Sequence, residues 1–185
     1  GMAVILTGVG YRLMGSVPAI IFAVFLIGAL IPWHLTTYGR PADPDKIVIP
    51  YLLTVVFFIV HVIEEYQTQF WVAISELSGH HVPEENFLLV AAFIGPILWL
   101  TGLIFLYART ELGNYFTWAF LVAMTVSELA HFIFPLAAYG EMRYFSGLYT
   151  AVLPLFPAGW CIYQLIQQSS APRQSGSSWP AESRK

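Results

Sequence analysis

Charge is what this chain has least of. Only 10% of its 185 residues are charged while 57% are hydrophobic, against about 25% charged in an ordinary soluble domain. So few charges cannot cover a water-facing surface, and the composition points to a polytopic integral membrane protein. A formal net charge of -3 offers no basic face, which sets nucleic acid aside as a partner. The single cysteine, Cys161, lies inside an apolar run and cannot form an internal disulfide, so it says nothing of redox compartment. Gly1 before Met2 reads as a cloning remnant and is left out of the fold reasoning.

Long apolar runs and aromatic residues are what the chain has in plenty. Aromatics make up 16% of it, as expected where Trp and Tyr line both membrane interfaces. A bilayer core of about 30 Å needs roughly 20 apolar residues per helix. Five stretches meet that length, at about 14–33, 47–75, 87–108, 114–138 and 145–167. The first has only Arg12 before it, lacks a small-residue cleavage pattern and reads as a true span rather than a signal peptide. The expected fold is therefore all-α, a five-helix transmembrane bundle over residues 1–168, followed by a disordered polar tail, 169–185, rich in Ser and Pro. Lys and Arg counts on alternate sides predict orientation. Arg12 and Arg143 fall on one side; Arg40, Lys46, Arg109, Arg173, Arg184 and Lys185 fall on the other. The bias places the N-terminus outside and the C-terminus in the cytoplasm, with a bacterial inner membrane as the expected location.

The motif "HVIEE", His61 to Glu65, stands in the second span, and "HVPEE", His81 to Glu85, follows twenty residues later in a polar loop. The second copy has a plain explanation. Pro83 suits a first helical turn, and Glu84 and Glu85 favour the positive end of the helix dipole. A surface metal site from His80, His81 and Glu84 is the lesser alternative. The first copy is different, because carboxylates in an apolar run are costly unless they face the bundle interior, where they mark function.

At 100° per residue His61, Glu64, Glu65 and Thr68 share one helical face. "SELAH" in the fourth span adds Glu128 and His131, again three apart. His61 lies 14 residues past Ile47 and Glu128 lies 14 past Asn114, so helices running in the same direction carry both sets to the same depth. No other titratable Asp, Glu, Lys, Arg or His lies within a span, which makes His61, Glu64, Glu65, Glu128 and His131 one constellation.

Three carboxylates and two imidazoles in a dry place repel or take up protons unless a cation joins them. Paired i, i+3 Glu/His sets on facing helices are how helical bundles hold dinuclear metal sites. A single zinc could instead take three ligands, keep an open position for water and leave a Glu as general base. All five residues are candidate metal ligands, with Glu64 and Glu65 as candidate catalytic acid or base. The hard nitrogen and oxygen set suits one or two ions of Zn, Fe or Mn. Phe57, Phe58, Phe132 and Phe134 are candidate walls of an apolar chamber for a lipid-like substrate, and Pro50 and Pro135 can kink their helices beside it. In the fifth span Ser146, Gly147 and Thr150 read as a helix-packing face, with Tyr149 a weaker candidate for a hydrogen bond to the site.

"HVIEEY", a later His-bearing span and "RYFSGLYTAVLPLFP" together resemble the bacterial membrane family named for its HXXEE motif, over roughly residues 50–157. The resemblance implies His61, Glu64 and Glu65 as signature residues; the family carries no assigned activity. Glu128 departs from the Asn common before the second histidine in that family, which leaves one metal or two open. Three functions follow as expectations: metal-dependent hydrolysis or oxidation of a hydrophobic substrate, metal-free acid/base isomerisation or cyclisation of a lipid, and cation or proton-coupled transport. Transport needs a polar route, and the inner halves of the spans offer little besides Thr54, Thr117 and Thr125.

Overall fold

The computed structural model describes residues 2–170, and every regular element among them is helical. The order is α1 (Met2–Met14), α2 (Ser16–Gly28), α3 (Leu30–Thr36), α4 (Pro44–Gln67), α5 (Phe70–Ser78), α6 (Glu84–Phe87), a π-helical segment (Leu88–Ile94), α7 (Gly95–Tyr107), α8 (Glu111–Tyr139) and α9 (Val152–Ser170). Ser169 and Ser170 close α9; the tail expected beyond them lies outside the described residues.

Among the described residues, four stretches are long and apolar enough to cross a membrane: Ser16–Thr36, Pro44–Gln67, Glu84–Tyr107 and Glu111–Tyr139. This corrects the expected count of five. The stretch predicted at 145–167 begins as non-helical turns, and α9 starts only at Val152. Gln164, Gln167 and Gln168, with Pro154 and Pro157, make α9 too polar to count as a span. It packs instead on α4 and α8, and its end is tied to the α3–α4 connection, where Asp43 N–H donates to Gln168 Oε1 at 2.6 Å.

Two further boundaries differ from the sequence reading. The expected 47–75 helix breaks after Gln67, because the Thr68 hydroxyl bonds back to the Glu64 carbonyl at 2.7 Å and Gln69 turns left-handed at φ 57°. Neither Gly nor Pro marks this break. Residues before the first span form α1, which doubles back on α2 at Gly15 and packs Gly10 against Phe22. Asn86 Nδ2 donates to the Leu13 carbonyl at 2.9 Å and fixes the end of α1 beside α6.

Local chemistry sets the two helices that carry the motif. Asp43 caps α4 by accepting from Asp45 N–H, with Pro44 at the first position. Thr110 caps α8 by accepting from Gly113 N–H at 3.0 Å, and Gly140 at φ 74° ends it. Both helices start at the same end of the bundle, where Asp43 meets Arg109 at 3.6 Å and Ala42 N–H donates to Asn114 Oδ1 at 3.1 Å. Inside, Tyr51 donates to the Trp99 carbonyl and Tyr115 to the Leu26 carbonyl, both at 2.7 Å. One apolar cluster surrounds Tyr51, Trp99 and Phe120; another surrounds Phe70, Phe134 and Phe145.

Candidate functional site

His61 is 17 residues into α4 from Pro44, and Glu128 is 17 into α8 from Glu111. Parallel helices with matched starts therefore deliver both at the same height, about 25 Å along at 1.5 Å per residue. His61 Nε2 lies 3.3 Å from Glu128 Oε2 and 3.5 Å from Glu65 Oε1, and His131 Nε2 lies 3.4 Å from the same Glu65 oxygen. The imidazole centroids are 4.7 Å apart, edge to face. All four side chains are buried. His61, Glu65 and His131 each offer one ligand atom within 4.8 Å of the others.

Glu64 stands apart from this group. Its carboxylate turns to the segment between α8 and α9, where Oε1 accepts from Tyr144 O–H at 2.9 Å and Tyr149 N–H at 3.2 Å. Oε2 accepts from Thr150 N–H at 2.7 Å and the Thr150 hydroxyl at 2.5 Å. Four donors occupy its oxygens, which makes it a latch for residues 144–150.

That segment, read from sequence as the start of a helix, is a cap over the site. Phe145 anchors it among Phe134, Tyr139 and Phe70. His131 Nδ1 sits 2.9 Å from the Ser146 carbonyl and His61 Nδ1 3.1 Å from the Thr150 hydroxyl. A carbonyl only accepts, so His131 Nδ1 carries a proton. The Thr150 hydroxyl gives its one proton to Glu64 and must accept from His61 Nδ1–H. With Nδ1 committed to the cap, Nε2 is the nitrogen that each ring turns toward the carboxylates. Ser146 donates to Thr68 Oγ1 at 2.5 Å, since that hydroxyl already donates to the Glu64 carbonyl.

Gly147 closes the arrangement from above at φ 85°. A Cβ there would lie 2.7 Å from His131 Cε1 and 2.8 Å from His61 Cε1. Gly147→Ala is expected to cost about 2–4 kcal/mol through backbone strain and overpacking, read as a lower midpoint of thermal unfolding. An unchanged midpoint would show that the segment does not press on the two rings.

Below the cap the four side chains open into a cavity of about 210 Å³. Its polar lining besides His61, Glu65, Glu128 and His131 is Ser127; the rest is aliphatic and aromatic, with Phe58 and Phe134 among it. Phe57 and Phe132, expected as walls, do not line it. The π-helical segment supplies Val90, Ala91 and Ile94 to one wall. A wider π turn shifts a helix face at such places and is often found at functional sites. Glu128 Oε2 is buried and makes no hydrogen bond among the described residues.

The other candidates fall elsewhere. His80, His81 and Glu84 do not form a metal-sized cluster among the described residues, and Glu84 and Glu85 occupy the first turn of α6. Tyr149 reaches the latch through its backbone N–H, while its ring lies exposed against Tyr144. Thr54, Thr117 and Thr125 all bond back to carbonyls four residues earlier in their own helices. The sequence reading missed Tyr144 altogether and gave Ser146, Gly147 and Thr150 to helix packing; the Gly-Leu-Tyr-Thr pattern around a positive-φ glycine was the available signal. No family model, curated protein or solved structure matches the chain.

Proposed function

We propose that the cluster is a single-metal centre of an intramembrane enzyme acting on a hydrophobic, lipid-like substrate, with His61, Glu65 and His131 as ligands and Glu128 as general base. One observation carries the reading: both Nε2 atoms converge on Glu65 while both Nδ1 atoms are engaged by the cap. Outer hydrogen bonds of this kind orient metal-binding histidines and fix their tautomer. The separations of the two Nε2 atoms from Glu65 Oε1, 3.4 and 3.5 Å, are long for hydrogen bonds. They match the ligand-to-ligand edges of a tetrahedron with zinc bonds of about 2.0–2.1 Å, which are about 3.3–3.4 Å.

Charge supports one ion rather than two. With Glu64 turned to the cap, two carboxylates remain, and one divalent cation balances them. Two histidines and one glutamate with an open position are a ligand set of hydrolytic zinc sites; iron or manganese also suits these donors. Such an ion supplies Lewis acidity and lowers the pKa of a coordinated water. The residues do the rest. Glu128 lines the cavity, its Oε2 making no hydrogen bond and lying 3.3 Å from His61 Nε2, and can take a proton there, while the apolar walls exclude bulk water and hold the substrate. The resemblance to the HXXEE family belongs to this proposal, with the motif's His61 and Glu65 as ligands and its Glu64 as latch.

A second reading, metal-free acid/base isomerisation or cyclisation of a lipid, is favoured by the same Glu128, buried without a hydrogen bond 3.3 Å from His61 Nε2. Transport is the weaker alternative, since the three span threonines are tied to their own backbones. Elemental analysis of the detergent-purified protein separates the first two readings: one equivalent of divalent metal supports the centre, and none sinks it.

A further inference from the structure

The cavity has a direction. His61 lies six residues from the end of α4, about 9 Å at 1.5 Å per residue, so the polar cluster sits close beneath one face of the bundle. From there the lining continues away from that face through Ser127, Met124 and Ala123 on α8 to Trp99 and Phe25. The far end is fixed by contacts: the Trp99 ring packs 5.0 Å from Phe120, and its carbonyl accepts from Tyr51. Tyr51 is ten residues before His61 and Phe120 eight before Glu128, which sets the depth at about 12–15 Å.

From Ser127 inward the lining is apolar, and a hydrocarbon chain, with carbon contacts at about 3.5–4.0 Å, can lie along it. An amphiphile in a bilayer already holds its head near the interface and its tail toward the centre, the same polarity as cluster and cavity.

We infer that the substrate is a straight-chain amphiphile whose oxygen-bearing head meets His61, Glu65, Glu128 and His131, and whose tail runs to Trp99, a reach of roughly ten methylenes. The inference rests on the cluster being the reacting end. Ala123, buried and lining the cavity between Glu128 and Phe120, then sets the accepted chain length.

A photochemical ruler tests this on the full chain in lipid nanodiscs. The probes are primary alcohols carrying a diazirine at increasing distance from the hydroxyl, and crosslinks are mapped by mass spectrometry. A diazirine roughly ten carbons out should mark Trp99 and Phe25, and one near the hydroxyl should mark Ser127 and His131. Ala123→Phe should cut the deep crosslinks at least tenfold and spare the shallow ones; Gly95→Phe, on the opposite wall four residues from Trp99, serves if the first variant does not fold. Labelling of exposed residues such as Leu100 and Ile104, or no dependence on diazirine position, overturns the inference. Metal content on the same preparation keeps the two claims apart. Ordered labelling without metal sinks the metal centre alone, and metal without ordered labelling sinks the chain-binding cavity alone.

Discussion

Replacing Glu64 with alanine is expected to do two things at once, although Glu64 contributes no atom to the His/Glu cluster. Its carboxylate accepts four hydrogen bonds from residues 144–150. Bonds to a charged acceptor contribute about 1.5–3 kcal/mol each when removed singly, but they are not additive and part of this latch is exposed, so about 2–4 kcal/mol of stability should be lost. The Thr150 hydroxyl would also lose the acceptor that makes it receive from His61 Nδ1–H. The second effect is therefore a metal affinity about 10–100-fold weaker, the cost of losing outer-sphere support. Glu64→Gln keeps an acceptor oxygen and should fall between. Thermal unfolding and a metal titration check both. A variant with full stability and full affinity would show that the latch neither holds the cap nor orients His61.

Glu65→Gln carries the second large effect. Glu65 Oε1 is the one atom approached by both imidazoles, at 3.5 Å from His61 and 3.4 Å from His131. The amide is nearly isosteric but neutral. It should leave the fold in place and lower metal affinity by at least about 100-fold, more than loss of outer-sphere support does. Size-exclusion behaviour unchanged from the native protein, with metal lost on dialysis, is the expected pair of results. Native affinity in Glu65→Gln would remove Glu65 from the ligand set.

These two adjacent carboxylates show what the sequence could and could not convey. Helical periodicity puts His61, Glu64 and Glu65 within one broad face, and the equal spacing from helix starts brings Glu128 and His131 to the same height, so the convergence of two spans was legible. Periodicity could not separate Glu64 from Glu65, because the separation is made by a third segment. Residues 144–150 are apolar enough to read as a helix, yet Gly147 at φ 85° turns them into a cap. The end of α4 was hidden for a related reason: the break at Thr68 and Gln69 uses a hydroxyl back-bond and a left-handed glutamine rather than Gly or Pro. The π-helical wall has no sequence mark at all. The missing fifth span was in principle readable, since three glutamines and two prolines in α9 weigh against the apolar residues between them.

Metal content of freshly purified protein, by elemental mass spectrometry beside Glu65→Gln prepared in parallel, is the measurement that tests the central claim most directly. One equivalent of Zn, Fe or Mn in the native protein and none in the variant is the predicted result. A folded native protein that neither carries nor takes up such an ion would contradict the metal centre, and would leave His61 and Glu128 as an acid/base pair at the mouth of an apolar cavity.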